Sequence, residues 1–192
     1  MQPRELLEFL HLIEPLKTNT RHSVTAAGVP ESVAAHCWRL ATLALLLEGE
    51  LPQVDINKVI QMCLIHDFGE AVTGDIPSFL KTGDNQLQEQ LAVFKLISLL
   101  PDPQHERLYR LLDEMDAQVT PEARVWNALD KMEAVLQHNE APLSSWLPLE
   151  RELQQTYGAA EAEPFPFLAA LRTELLRDTQ EKLKAEKDGT TL

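Results

Sequence analysis

The sequence predicts an all-α fold, a single-domain helical bundle, on three observations. Apolar residues recur at spacings of three and four along most of the chain, no run alternates apolar and polar residues as a half-buried strand would, and helix start and stop signals flank the periodic segments. With 192 residues and 44% hydrophobic content, the chain can bury a sizeable core and is most simply one domain.

The elements follow in order. Over residues 4–16, Leu6, Leu7, Leu10, Ile13 and Leu16 mark one buried helical face. The stretch "KTNTRHSVTAAGVPES" reads as a polar loop containing Gly and Pro. A second helix is expected from near Pro30, with Val33, Cys37, Leu40, Ala44 and Leu47 as its stripe. "GELPQVD" breaks it. A third helix is expected from about Asp55 through Val59, Met62 and Leu64 to a stop near Gly74. Beyond Pro77 the chain loosens until about Gln86. There "LQEQLAVFKLISLLP" begins a helix stopped by Pro101, and "HERLYRLLDEMDAQ" forms another. "TPEARVWNALDKMEAVLQHNE" opens with Thr120 as N-cap, Pro121 at the first helical position and Glu122 in the first turn. "EAEPFPF" precedes a last charged helix, and "KAEKDGTTL" reads as a frayed tail.

Composition narrows the function. Thirty acidic against seventeen basic residues give a formal charge of −13, which argues against a nucleic-acid polymer as ligand, since phosphate backbones are bound by clustered Lys and Arg. A small anion held by one arginine and a metal stays compatible. Cys37 and Cys63 lie in apolar helical segments without CxxC or zinc-ribbon spacing, so they read as reduced, buried thiols of a cytoplasmic protein. The amino terminus has glutamates among its leucines, unlike a signal peptide. The longest apolar run, Leu40 to Leu47, falls far short of the roughly 20 residues of a membrane span.

One stretch resists a purely structural reading. "CLIHDFGEAVTGDIPS" puts His66, Asp67, Glu70 and Asp75 inside an apolar helix, with no basic partner from His66 to Asp75 except the histidine. His66 and Glu70 are four residues apart and Asp67 and Glu70 three apart, so the three side chains can converge on one ion. His36 sits beside the Val33 and Leu40 stripe. Asp130 sits between Trp126 and Ala134. Alone, each is explained as an edge histidine or a solvated acid; the conjunction of His, His-Asp and Asp on separate amphipathic helices is not.

"ESVAAHCWRLA", "LIHDFGEAVTGDIPS" and "VWNALDKMEAVLQ" together resemble the three blocks of the HD-domain phosphohydrolases, specifically their 5'-deoxynucleotidase branch. The H…HD…D skeleton marks the wide superfamily, and the ESVA-x-H-x-W-R and HD-x-x-E-x-x-x-GDIP elaborations select the branch. The resemblance covers about residues 5–140, the expected metal-binding core; the chain as a whole is expected to form one HD domain over 1–185, with a helical extension over about 141–185 that the resemblance does not reach, followed by a flexible tail over 186–192.

That resemblance also implies roles. His36, His66, Asp67 and Asp130 match the ligands of one divalent metal, Glu70 the catalytic glutamate, Arg21 the phosphate-binding arginine and Asp75 the residue that contacts the sugar. Ser78 falls in a segment that lines the family's pocket. Mixed nitrogen and oxygen donors suit Mn, Co, Fe or Mg as well as Zn. Such an ion would cancel phosphate charge and acidify water. Glu70 is then read as a general acid or base, the alternative being a carboxylate that orients His66. Two departures stand out. His22 replaces the relatives' usual Trp, which predicts a less firmly held Arg21 and a weaker preference for deoxyribonucleotides. Ala35 stands where the family often has an acid beside the first metal histidine.

The expected function is therefore metal-dependent hydrolysis of nucleoside 5'-monophosphates, with a nucleotide as the small-molecule partner. Other small phosphate esters or signalling nucleotides, and a non-catalytic helical interaction module with a vestigial site, are the alternatives. Related proteins form homodimers. Leucines of the 86–100 and 165–176 helices offer an interface, though they are equally explained as core.

Overall fold

The computed structural model describes residues 1–188. Helix α1 (Pro3–Leu12) packs by Phe9, whose ring sits 5.9 Å from that of Phe68, and a 3₁₀ turn over Glu14–Lys17 follows. The expected apolar face of this helix is largely not buried. Leu16 is, but Leu6, Leu7 and Leu10 are exposed, because α1 lies at the edge of the bundle and turns only one side to it.

The polar loop expected over 17–32 is in fact a β-hairpin. Strand β1 (Thr20–Val24) pairs antiparallel with β2 (Pro30–Ser32), Thr20 opposite Ser32 and Val24 opposite Pro30, with an irregularity in register between them. Gly28, at φ +75°, lets the chain reverse, a conformation glycine adopts without a Cβ clash. Apolar alternation is missing because the ribbon's inward side chains are polar: Ser23 Oγ donates to buried Glu31 at 2.8 Å. Gln137 Nε2 donates to the Val24 carbonyl at 2.6 Å and ties the hairpin to the helices.

Helix α2 (Val33–Leu46) therefore starts after Pro30, with Ser32 as N-cap accepting the Ala35 N–H at 3.2 Å. Helix α3 (Ile56–Ile65) is capped by Asp55, which accepts the Lys58 N–H. It ends at Ile65 and does not run to Gly74 as expected. A turn carries His66 to Gly69, and the short α4 (Glu70–Thr73) stops at Gly74, φ +71°. Within α3, Cys63 and Ile65 are buried, whereas Leu64 is exposed.

Helix α5 (Gly83–Ile97) begins earlier than expected, because Thr82 caps it and accepts the Asn85 N–H. Helix α6 (Gln104–Ala117) and helix α7 (Pro121–Glu140) follow, the latter capped by Thr120 as its sequence requires. Helices α8 (Glu150–Thr156), α9 (Ala159–Ala162) and α10 (Pro166–Lys187) complete the chain. The last helix extends to Lys187, so the tail expected from 186 starts as helix. Positions 189–192 of that tail lie outside the described residues.

The core joins α2, α3, α7 and α10 through Leu40, Ala44, Val59, Cys63, Leu129, Met132, Leu168 and Leu175. A second cluster packs Met62 and Ile65 against Val93 and Ile97 of α5 and Leu111 and Met115 of α6. Each fully buried leucine contributes about 1.5–3 kcal/mol relative to exposure. Helix α7 passes beside both clusters, so the one polar strip it carries inward is held by apolar packing along its length. Among the described residues no helix is long and apolar enough to cross a membrane. Both cysteines are free and buried.

Candidate active site

Four side chains from three parts of the chain meet at the inner ends of these helices. His36 Nε2 of α2 lies 3.0 Å from Asp130 Oδ1 of α7, and His66 Nε2 lies 3.1 Å from Asp67 Oδ2 and 3.6 Å from Asp130 Oδ1. The two imidazole centroids are 5.3 Å apart. One donor atom each from His36, His66 and Asp67 lies within 4.8 Å of the others. The Trp126 ring sits 5.7 Å from that of His66 and closes that side with apolar surface.

The tautomers are set from behind. His66 Nδ1 faces the Cys63 carbonyl at 3.0 Å, and His36 Nδ1 faces the Glu133 carboxylate, so both Nε2 atoms turn to the same space as the Asp67 and Asp130 oxygens. An imidazole whose Nδ1–H is engaged offers Nε2 as a ligand. Burial works against charge on both rings, yet adjacent carboxylates raise the protonation of His36, and of His66 well above the usual histidine range. Burial pushes the Asp67 carboxyl up, but His66 more than offsets it and leaves the group at about 2. Asp130 is likewise held well below the ordinary carboxylate range. A divalent cation can take the place of the positive charge these carboxylates draw, and the donor set fits one.

Glu133 is the residue that sequence reasoning missed. Fully buried on α7, one turn beyond Asp130, it meets His36 Nδ1, Arg39 Nε at 2.6 Å and Arg21 Nη1 at 3.5 Å. It supplies from a distant helix the support expected to be lacking at Ala35. The signal was present in "LDKMEAVL", where Asp130 and Glu133 share a helix face at i and i+3.

Glu70 is 2% exposed, and its Oε2 is buried without a hydrogen-bond partner among the described residues. Burial, Asp67 and Asp75 push its carboxyl up to about 9, against the opposing Lys81. Asn19 Nδ2 donates to the Glu70 carbonyl at 2.6 Å and anchors α4 to the hairpin. Lys81, a second residue the sequence reading did not single out, lies 3.5 Å from Glu70 Oε1 and 2.8 Å from Glu89 Oε2. It answers the missing cation of the acidic stretch, from six residues beyond Asp75.

One cleft collects Arg21, His22, Asp67, Glu70, Asp75, Ser78, Lys81 and Asp130 along its wall. Every expected site residue except the two metal-site histidines lines it, and those lie directly behind Asp67 and Asp130. Arg21 therefore projects from a strand, and it rests on Glu133. His22 turns elsewhere: its Nε2 lies 3.3 Å from Glu150 Oε1, and its ring meets Phe79 edge-on at 6.1 Å. The loosening of Arg21 expected from the Trp-to-His exchange thus has a structural counterweight. Ser78 accepts from Tyr157 Oη at 3.4 Å, joining the segment after Asp75 to the carboxy-terminal extension.

The HD domain family matches residues 13–168. The 5'-deoxynucleotidase HDDC2 of Bos taurus is 33% identical over 141 residues, covering 71% of this chain and 68% of the relative. The protein of the same name from Dictyostelium discoideum is 33% identical over 144 residues, covering 70% of this chain and 76% of its own. A crystal structure from Magnetospirillum magnetotacticum MS-1, described as a predicted metal-dependent phosphohydrolase, superposes with a TM-score of 0.80 at 28% identity over 93% of this chain and 95% of its own.

Proposed function

The chain belongs to the HD-domain family, and we propose that it is a metal-dependent phosphohydrolase that converts nucleoside 5'-monophosphates, deoxyribonucleotides above all, to nucleoside and phosphate. One observation carries the reading: His36, His66, Asp67 and Asp130 converge at the floor of a cleft that also presents Arg21 and Glu70. A vestigial site would have no reason to keep all six.

In this reading the four converging residues hold one divalent ion among Mn, Co, Mg, Fe and Zn. When bound, the ion supplies positive charge against the phosphate dianion and acidifies water. Arg21 grips phosphate oxygens through its planar fork, and Lys81 adds a point charge at the same end. Water adds to phosphorus, the bond from phosphorus to the 5'-oxygen breaks, and Glu70 delivers a proton to the departing oxygen. The unpartnered Glu70 Oε2 supports that role. Asp75 accepts from a sugar hydroxyl, while His22 and Ser78 form the rim beside it.

A homodimer is the assembly we expect, supported by the exposed Leu87 and Leu91 of α5. The free, buried cysteines support a cytoplasmic location. The test is a phosphate-release screen over deoxyribonucleotides, ribonucleotides and general phosphate esters with each metal in turn. Release from dAMP that depends on added metal is the expected result; release only from unrelated esters, or from none, would overturn the assignment.

A further inference from the structure

The stretch that carries His36 continues into Trp38 and Arg39. Trp38 is 68% exposed, whereas Arg39, three residues beyond His36 on α2, turns back to α7. There Asp130, Glu133 and Glu140 recur at i, i+3 and i+10, along one side of the helix. The two helices interlock through these side chains in alternating charge. Asp130 Oδ1 lies 3.0 Å from His36 Nε2, and His36 Nδ1 meets Glu133 Oε2. Arg39 then donates through Nε to Glu133 Oε1 at 2.6 Å and through Nη1 to Glu140 Oε2 at 2.5 Å. The series runs from the cleft, where Asp130 stands, to the exposed Glu140.

Glu133 is fully buried, so each of its oxygens needs a donor if the carboxylate is to stay charged. Among the described residues Oε1 accepts from Arg39, while Oε2 faces His36 and stands 3.5 Å from Arg21 Nη1. That Nη1 is buried and makes no hydrogen bond among the described residues, so Arg21 rests beside the carboxylate without being gripped by it. Remove Arg39, and Oε1 is left bare with Arg21 as the guanidinium still in contact. The carboxylate then turns to Arg21. His36 loses the acceptor that orients it, and Arg21 is drawn back from the cleft.

We propose that Arg39 is a positioning residue: it fixes the Glu133 carboxylate so that one oxygen orients His36 for the metal while Arg21 stays available to phosphate. The inference rests on the hydrolase reading above and extends it to a residue that does not line the cleft. Arginine suits the task because its rigid fork reaches Glu133 and Glu140 at once, where lysine offers a single point charge.

The experiment uses Arg39→Gln, Arg39→Lys, Glu133→Gln and the double variant Arg39→Gln/Glu133→Gln. Calorimetric titration of the metal-free proteins with Mn²⁺ gives metal affinity, and steady-state kinetics with dAMP give kcat and KM separately. Arg39→Gln should weaken Mn²⁺ binding by about tenfold. It should also raise KM by about tenfold while kcat stays within about twofold. Arg39→Lys, which keeps the charge, recovers part of both. In the Glu133→Gln background Arg39→Gln adds less than about twofold, because the two residues act in series. Wild-type Mn²⁺ affinity and KM in Arg39→Gln would overturn the proposal, whatever the melting temperature does, and so would fully additive losses in the double variant. If Arg39→Gln does not fold, Arg39→Lys decides: a partial loss of Mn²⁺ affinity supports the proposal and a wild-type value overturns it. If phosphate is released from no nucleotide, the hydrolytic reading fails, and the Mn²⁺ titrations still decide the role of Arg39.

Discussion

Arg21 Nη1 lies 3.5 Å from Glu133 Oε2, the same carboxylate oxygen that meets His36 Nδ1. One buried acid therefore touches both a residue of the proposed metal site and the arginine assigned to the phosphate. Arg39, 2.6 Å from the other oxygen, anchors it from outside. Burial raises the Glu133 carboxyl, and His36, Arg21 and Arg39 more than reverse this, so it stays ionised. Glu133→Gln is expected to weaken metal binding by about 10–100-fold, the usual cost of losing such a support. It should also raise KM through Arg21. Metal titration and steady-state kinetics on the same preparation check both effects; a rise in neither would show that Glu133 serves packing alone.

Asp67→Asn removes ligand charge without removing volume. Metal retention and phosphate release should both disappear while the helical circular dichroism persists. Full activity of the variant after metal removal would refute the assigned site.

Glu70→Ala separates proton transfer from ligation. Metal content should remain, and turnover should fall by about 10²–10⁴-fold, the range of general acid–base catalysis. Elemental analysis that instead finds the metal gone would make Glu70 a ligand.

His22 reaches Glu150 across the cleft, and Glu150 also accepts from His138 Nε2 at 3.1 Å and from the Leu147 N–H at 2.6 Å. Position 22 is thus part of the cleft wall. With His22→Trp, the dAMP over AMP ratio of kcat/KM should rise as the larger ring crowds the 2'-hydroxyl. An unchanged ratio would remove this residue from sugar choice and leave the metal chemistry untouched.

Gly69 tests packing. A Cβ at this position would stand 2.6 Å from the Glu89 carbonyl oxygen, backbone that cannot yield without moving α5. Gly69→Ala should destabilise by about 1–3 kcal/mol, the cost of overpacking. A melting temperature equal to wild type would show that α5 shifts freely.

By itself the sequence determined the helices with apolar stripes and explicit caps. Thr120 and Pro121 open α7, Asp55 opens α3 and Gly74 ends α4, because capping groups and backbone conformation act within a few residues. His36, His66, Asp67 and Asp130 were legible as a set through spacing and resemblance, and they meet in space. Tertiary structure alone decided the rest. The β1–β2 ribbon carries no apolar alternation, since its inner face serves a polar site. The apolar stripe of α1 carried no sign that Leu6, Leu7 and Leu10 would lie outside the bundle. Glu133 and Lys81 were not singled out from the sequence, because their surroundings arise from partners 97 and 11 positions away, at His36 and Glu70. Local chemistry fixes a helix and its caps, but burial of a charge or an amide depends on what the folded chain brings to it.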